Sequence, residues 1–586
     1  MLTPDAPPLP ETASHSGQGR PSRALRGLLR LSPDKSTARI GLVAVCFAGL
    51  FLALGGRLVV LAVAPEPPGG IRRATSSEIS AARPDITDRN GETLATDVKT
   101  VSVFAEPRNV LDKDEAVELL TAVLPELDAR ELRERLNTRR GFIWVKREIT
   151  PRQQAEVHRL GIPGVGFVPE NKRVYPNGVA AAHVLGFANI DNVGIAGIEK
   201  YIDAQGLQDL NGAGFAVQSA DLTPVALSID LRAQHALRDE LAKALDKYKA
   251  KAAAGTIVDV NTGEVVALVS LPDFDPNNPV DALDKERINR INVGVYEMGS
   301  TFKAITTAMA LDSGRFTINS TFDARAALRY GRFTINDFHA QHRVMSVPEV
   351  FIYSSNIGTA RMALGIGVDG HKAFLRKMGQ LDRLRTELPE SAEPIIPPRW
   401  GELNTMTIAF GHGLAVAPLQ AVMATAALVN GGYLIPPTFL KRNPTEAREL
   451  ATRVIKPETS EAMRYVMRLN AERGSASRAA VAGYFVGGKT GTAEKVVGGR
   501  YSKNKLLTTF MAIAPSDKPR YLFLTVLDEP QGLPETQGVA TSAWNSAPVT
   551  GAIVERVAPL LGLPPHFDPP AQPFPSMVRL GAWGSR

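Results

Sequence analysis

Three short clusters in this 586-residue chain carry side chains suited to nucleophilic acyl transfer. In Gly299-Ser300-Thr301-Phe302-Lys303 a serine and a lysine stand three residues apart, at the head of an apolar-periodic stretch (Phe302, Ile305, Met309, Leu311) with Gly314 as its stop signal. On a helix that spacing puts Lys303 one turn beyond Ser300 on the same face, with its amine in reach of the hydroxyl. A serine hydroxyl is a weak nucleophile at neutral pH, and a desolvated lysine with a lowered pKa can take its proton. The positive field of a helix N-terminus favours the negative charge that develops there. Alone, Ser-x-x-Lys also describes a capped helix with a surface lysine.

Two further clusters follow in order. Ser354-Ser355-Asn356 begins 54 residues after Ser300, and Lys489-Thr490-Gly491-Thr492 begins 189 residues after it. Ser354 can relay a proton between Lys303 and a leaving amine, and the Asn356 amide can hydrogen-bond a substrate backbone. Lys489 supplies positive charge, and Thr490 or Thr492 can donate to a substrate carboxylate. Thr490, Gly491 and Thr492 are the substrate-binding candidates, and the backbone N–H groups of Ser300 and Thr492 the oxyanion-hole candidates. Ser300, Lys303, Ser354, Asn356 and Lys489 are the catalytic candidates; no metal or cofactor is called for.

One motif competes for Lys489. Gly483-Tyr484-Phe485-Val486-Gly487-Gly488-Lys489-Thr490 matches a phosphate-binding loop, and Leu522–Leu527 before Asp528-Glu529 resembles a magnesium-binding strand. A phosphate loop needs a helix starting at its Lys-Thr, whereas Gly491 follows at once and Gly498-Gly499 soon after. Tyr484, Phe485 and Val486 read as strand residues.

The elements that must position these clusters come after a membrane anchor. Ile40–Ala64 is apolar except for Arg57, long enough to cross a bilayer core of roughly 30 Å at about 1.5 Å per residue. Arg57 can snorkel to the headgroups. Arg20, Arg23, Arg26, Arg30, Lys35 and Arg39 precede it, which places residues 1–39 in the cytoplasm and everything after about residue 65 outside. A nucleic-acid arm would interleave aromatics with these bases, and none is present. The apolar run exceeds the roughly 7 to 15 residues of a signal-peptide core, and Pro65 after Ala62-Val63-Ala64 spoils a cleavage site. Cys46, the single cysteine, lies in this run, so the exported body has neither disulfide nor thiol chemistry.

Net charge of +7, 44% hydrophobic and 22% charged residues are ordinary globular values, and the length calls for two or more domains. Residues 65–82 read as a linker. Asn90-Gly91 is a hairpin turn before the strand-like Thr100–Ala105, and 113–139 and Thr150–Leu160 carry helical spacing. His183 and the pair Glu199-Lys200 read as structural. A helix runs from Leu231 to about Lys251. Gly255–Val260 and Glu264–Val269 flank the turn Asn261-Thr262-Gly263 as a hairpin, and the Pro-rich 561–586 reads as extended or disordered.

Ser-x-x-Lys, Ser-x-Asn and Lys-Thr-Gly in this order form the serine acyltransferase signature shared by penicillin-binding proteins and some β-lactamases. Together with Asp88-Arg89-Asn90-Gly91, Gly197-Ile198-Glu199, Tyr296-Glu297-Met298-Gly299, Gly411-His412-Gly413-Leu414 and Pro418-Leu419-Gln420, they make the chain resemble a class B penicillin-binding protein of the division-specific D,D-transpeptidase group over nearly its whole body. Met298 departs from the proline of many relatives without touching the chemistry. The resemblance implies an α+β multidomain fold: cytoplasmic tail 1–39, transmembrane helix 40–64, mixed α/β pedestal 65–226, transpeptidase domain 227–560 with an antiparallel sheet flanked by helices, and tail 561–586. It implies that Ser300 attacks the D-Ala-D-Ala bond of a stem pentapeptide and releases D-alanine. An amine of a neighbouring stem, diaminopimelate in a Gram-negative wall, then closes the cross-link. β-Lactams would acylate the same serine; a membrane glycosyltransferase and divisome proteins would be partners at an inner-membrane septal site, with the catalytic domain periplasmic.

Other readings stay in view. An elongation-specific transpeptidase shares every motif. A D,D-carboxypeptidase or β-lactamase differs only in passing the acyl group to water. A class A enzyme would need a glycosyltransferase domain that 65–220 cannot hold, and a β-lactam sensor would need a cytoplasmic effector larger than 39 residues.

Overall fold

The computed structural model describes residues 43–56, 82–207 and 222–567. The expected membrane helix lies only partly within them: residues 43–56 are helical, with Val43, Val45, Phe47, Leu50, Phe51, Leu52 and Leu54 all exposed. No helix among the described residues is long and apolar enough to cross a membrane. Of the linker 65–82 all but Ala82 falls outside the described residues, as do residues 1–39 and 568–586.

The first part of the body is built on one long strand, Thr93–Ala105, paired antiparallel with Ile143–Ile149 on one side and Val165–Val174 on the other. The Asn90-Gly91 turn closes its hairpin with Ile86–Thr87, with Asp88 N–H donating to the Glu92 carbonyl at 2.8 Å. Helices Lys113–Val123, Ala129–Leu136 and Pro151–Leu160 cover this sheet through Val117, Leu120, Leu132, Leu136 and Val157. Their starts are legible locally: Asp112 and Asp128 cap two of them, and Thr150 forms a capping box with Gln153.

Glu199 is fully buried and does not pair with exposed Lys200 as the sequence suggested; it lies between two arginines. Arg83 Nε donates to its carboxylate at 2.7 Å and Arg173 Nε at 2.6 Å; Arg83 also reaches Asp203 at 2.7 Å and Arg173 reaches Asp97 at 3.1 Å. Removing one member of such a buried set strands the others' charge. Glu199→Ala is therefore expected to cost about 3–5 kcal/mol, read as a fall in the urea midpoint, whereas Lys200→Ala stays within about 0.5 kcal/mol. His183 is structural as read: its Nε2 bonds the Arg287 carbonyl at 2.7 Å and its ring meets Phe274 edge-on.

The second part carries a five-stranded antiparallel sheet in the order Gly487–Val497, Arg500–Ala514, Tyr521–Asp528, Ala252–Asp259, Val265–Leu271. The hairpin at Asn261-Thr262-Gly263 joins the last two as expected. Ala252–Asp259 and Tyr521–Asp528 are buried along their whole length, because both faces of the sheet are covered. Leu231–Lys247 and Ser546–Leu560 pack on one face through Leu237, Leu241, Ile553 and Val557. On the other, Phe302–Asp312, Asn356–Ile366, Pro418–Val429 and Pro457–Arg473 share a second core. Packing continues past Leu560: Leu561 and Leu563 are buried, and His566 N–H donates to the Gly483 carbonyl at 2.7 Å.

The two parts meet through ordinary chemistry. Ile86–Thr87 pairs in parallel with Val225–Ala226, and the Asp88 carboxylate accepts the N–H of Leu231 at 3.1 Å.

Candidate active site

Gly299–Thr301 forms a single 3₁₀ turn that runs directly into the helix Phe302–Asp312. Phe302 through Ala310 are buried on every side, which removes the surface-lysine reading of Ser-x-x-Lys: Lys303 is 1% exposed. Its Nζ donates to Ser354 Oγ at 3.0 Å and to the Ser354 carbonyl. Lys489 Nζ donates to the same hydroxyl oxygen at 2.9 Å. The Ser354 hydroxyl thus bridges two lysines that lie 51 residues before it and 135 residues after it in sequence.

Two ammonium groups this close, at roughly 5–6 Å and an effective dielectric of about 20, repel by about 3 kcal/mol. Burial adds to that cost, so both amines cannot hold full charge. Desolvation, and then the charge of Lys489, holds the Lys303 amine well below the usual lysine value, with Asp337 opposing. Desolvation brings Lys489 down to about 7. Phe351 lies under the Lys489 amine at 5.7 Å and gives the cation a π face.

Ser354 is held with φ at +54°, between the helix Val347–Ile352 and the helix Asn356–Ile366 that Ser355 caps. The cap is pinned from outside: Asp337 accepts from Ser355 Oγ at 2.7 Å and from Ile357 N–H at 2.9 Å. Asn356 Nδ2 donates to the Asn336 carbonyl at 2.9 Å. Asn336 and Asp337 escape sequence reading because their segment carries no signature; only proximity reveals them.

Lys489, Thr490, Gly491 and Thr492 lie on the edge strand Gly487–Val497, so the phosphate-loop alternative fails on structure too: strand, not helix, follows Lys-Thr. Asp528, at the end of the would-be magnesium strand, instead pairs with Lys495 at 2.6 Å. The Gly299–Thr301 turn rests against the edge strand. A side chain at Gly491 would stand 2.7 Å from the Met298 carbonyl, and one at Gly299 would stand 3.0 Å from the Thr492 carbonyl. Thr490 Oγ1 shares a 2.7 Å hydrogen bond with Ser475, and Thr492 Oγ1 accepts the N–H of Ser542 at 3.1 Å. Sequence reasoning did not single out Ser475 or Ser542. The structure thus joins Lys303, Ser354 and Lys489 by hydrogen bonds and lays the Gly491–Thr492 strand against the Ser300 turn, while the Asn356 side chain is tied to Asn336.

A family model described as the penicillin-binding protein transpeptidase domain matches residues 253–553. The chain belongs to the penicillin-binding protein transpeptidase family. A second model, the penicillin-binding protein dimerisation domain, matches residues 78–212 of this penicillin-binding protein. It is 38% identical to the probable peptidoglycan D,D-transpeptidase FtsI of Caulobacter vibrioides, over 89% of this chain and 88% of that protein. To the peptidoglycan D,D-transpeptidase FtsI of Escherichia coli K12 it is 30% identical, over 90% and 92%. Among solved structures, a peptidoglycan synthetase from Bifidobacterium adolescentis shares the fold with a TM-score of 0.65 at 23% identity, over 84% of this chain and 98% of that one.

Proposed function

We propose that this penicillin-binding protein is a peptidoglycan D,D-transpeptidase that works through an acyl-enzyme on Ser300. The observation that carries the reading is the buried Lys303 amine, its pKa lowered by desolvation, one turn from Ser300 and hydrogen-bonded to Ser354. Ser300 Oγ attacks the carbonyl carbon of the penultimate D-alanine as its proton passes to Lys303. The N–H groups of Ser300 and Thr492 hold the oxyanion. Ser354 relays the proton to the departing D-alanine nitrogen, the C–N bond breaks, and an ester remains. An acceptor amine then loses its proton through the same relay, attacks the ester, forms the cross-linking amide and restores the Ser300 hydroxyl.

In this reading Lys489 in its charged form, with Thr490 or Thr492, holds the terminal carboxylate, Gly491 lets the strand lie against the nucleophile turn, and the amide oxygen of Asn356 accepts a donor-strand N–H. β-Lactams acylate Ser300 in the same way. The body would comprise a pedestal over 65–226 and a transpeptidase domain over 227–560, with the apolar stretch 40–64 as a single inner-membrane anchor, the tail cytoplasmic and the body periplasmic. A septal role, with a membrane glycosyltransferase and divisome proteins as partners, draws on the motif pattern and on similarity to two proteins named FtsI.

The test supplies the full-length protein with a donor stem pentapeptide and an amine-bearing stem acceptor. Released D-alanine matched by a new donor–acceptor amide is the expected result. Shortened donor with no amide would mean the acyl group goes to water, and the transferase reading would fail.

A further inference from the structure

Three residues before Ser300, Glu297 joins segments that the mechanism above leaves unused. Its Oε1 accepts the N–H of Gly413 at 2.7 Å and the hydroxyl of Tyr501 at 3.0 Å, while its Oε2 is buried with no hydrogen-bond partner among the described residues. Gly413 belongs to the Gly411–Gly413 turn beneath the nucleophile, where the Gly411 carbonyl accepts Gly299 N–H at 3.2 Å. Tyr501 lies opposite Val496 in the hairpin that extends from the Lys489–Thr492 strand, and it is 49% exposed. One carboxylate oxygen therefore ties together the peptide before the nucleophile, the loop under it and the outer arm of the substrate strand.

The nucleophile turn needs such support. Gly299–Thr301 has no side-chain cap and Gly299 sits at φ +55°, so contacts from outside the turn set its geometry. An oxyanion hole built from two backbone N–H groups on different elements tolerates little displacement.

We propose that Glu297 is a positioning residue for acylation, holding the Ser300 turn in register with Thr492 through Gly413 and Tyr501. The proposal rests on the acyl-enzyme reading. Burial raises the Glu297 carboxyl above its usual range, against the pull of its two hydrogen bonds. His412, whose ring meets Tyr501 at 5.8 Å and Phe410 at 5.5 Å, is pushed down to about 4 by burial and offers no cation at neutral pH. What the site asks of residue 297 is acceptance of two hydrogen bonds, which an amide oxygen also provides.

Stopped-flow acylation of the full-length protein by a fluorescent penicillin separates initial affinity from the covalent step. Glu297→Ala is expected to slow the covalent step about tenfold or more while initial affinity changes less than about threefold. Glu297→Gln is expected to stay within about threefold of wild type, and Tyr501→Phe to slow the step roughly three- to tenfold. An unchanged covalent step in Glu297→Ala, or a glutamine variant as slow as alanine, overturns the proposal. Should Glu297→Ala not fold, Tyr501→Phe decides: an unchanged covalent step there overturns it equally. A wild type that forms no adduct overturns the acyl-enzyme reading instead.

Discussion

Ser300→Ala is expected to cut D-alanine release from a stem pentapeptide by on the order of 10⁴-fold or more and to abolish cross-link formation, with thermal stability nearly unchanged. Ser300 is half-buried at a helix start, so losing one hydroxyl costs the fold little. The effect on rate is large because oxyanion donors and substrate contacts have nothing to stabilise without a bond to form. A variant that still released D-alanine at a tenth of the wild-type rate would move the nucleophile elsewhere.

Lys303→Met is expected to separate activity from stability in opposite directions. Loss of the general base slows acylation by about 10²–10⁴-fold. Meanwhile a methionine of similar volume removes a desolvated amine from a fully buried position beside Lys489, so the unfolding midpoint holds or rises. Wild-type acylation also has a definite pH sign. Burial lowers the Lys303 pKa, so its neutral, proton-accepting form is lost only as pH falls through that lowered value, and the rate falls with it. Lys489, at about 7 in the free protein, loses its charge as pH rises, which weakens carboxylate binding on the alkaline side. A bound carboxylate moves that limb upward. Rate against pH, measured in wild type and in Lys303→Met, checks this: the acid limb belongs to the wild type, and a limb that persists unaltered in the variant would assign the base elsewhere.

The chemistry was more legible in the sequence than its supports. Ser300 and Lys303 are three residues apart, and helix geometry alone brings them together. Ser354 and Lys489 could be placed beside them only through motif order, because their meeting depends on the tertiary path of the chain. Asn336, Asp337, Ser475 and Ser542 left no signal, since each acts through hydrogen bonds to partners distant in sequence. The strand carrying Lys489 was anticipated from Tyr484–Val486, yet Tyr484 lies in a turn, Phe485 and Val486 join no strand, and the strand starts at Gly487. Glycines argue against a strand by propensity, but here the Phe510 ring packs over Gly488, 2.9 Å from where a side chain would begin. The hairpins at Asn90-Gly91 and Asn261-Thr262-Gly263 were readable because turn chemistry is local. Glu199 was read as structural, but its arginine partners lie 116 and 26 residues away and could not be named.

The central claim, that Ser300 carries the acyl group, is tested most directly by intact mass and peptide mapping of the full-length protein after incubation with a penicillin, in wild type and Ser300→Ala. The account predicts one added penicilloyl mass, mapped to the peptide containing Ser300 and missing from the variant. An adduct that survives in Ser300→Ala, or a folded wild type that takes up none, would contradict it.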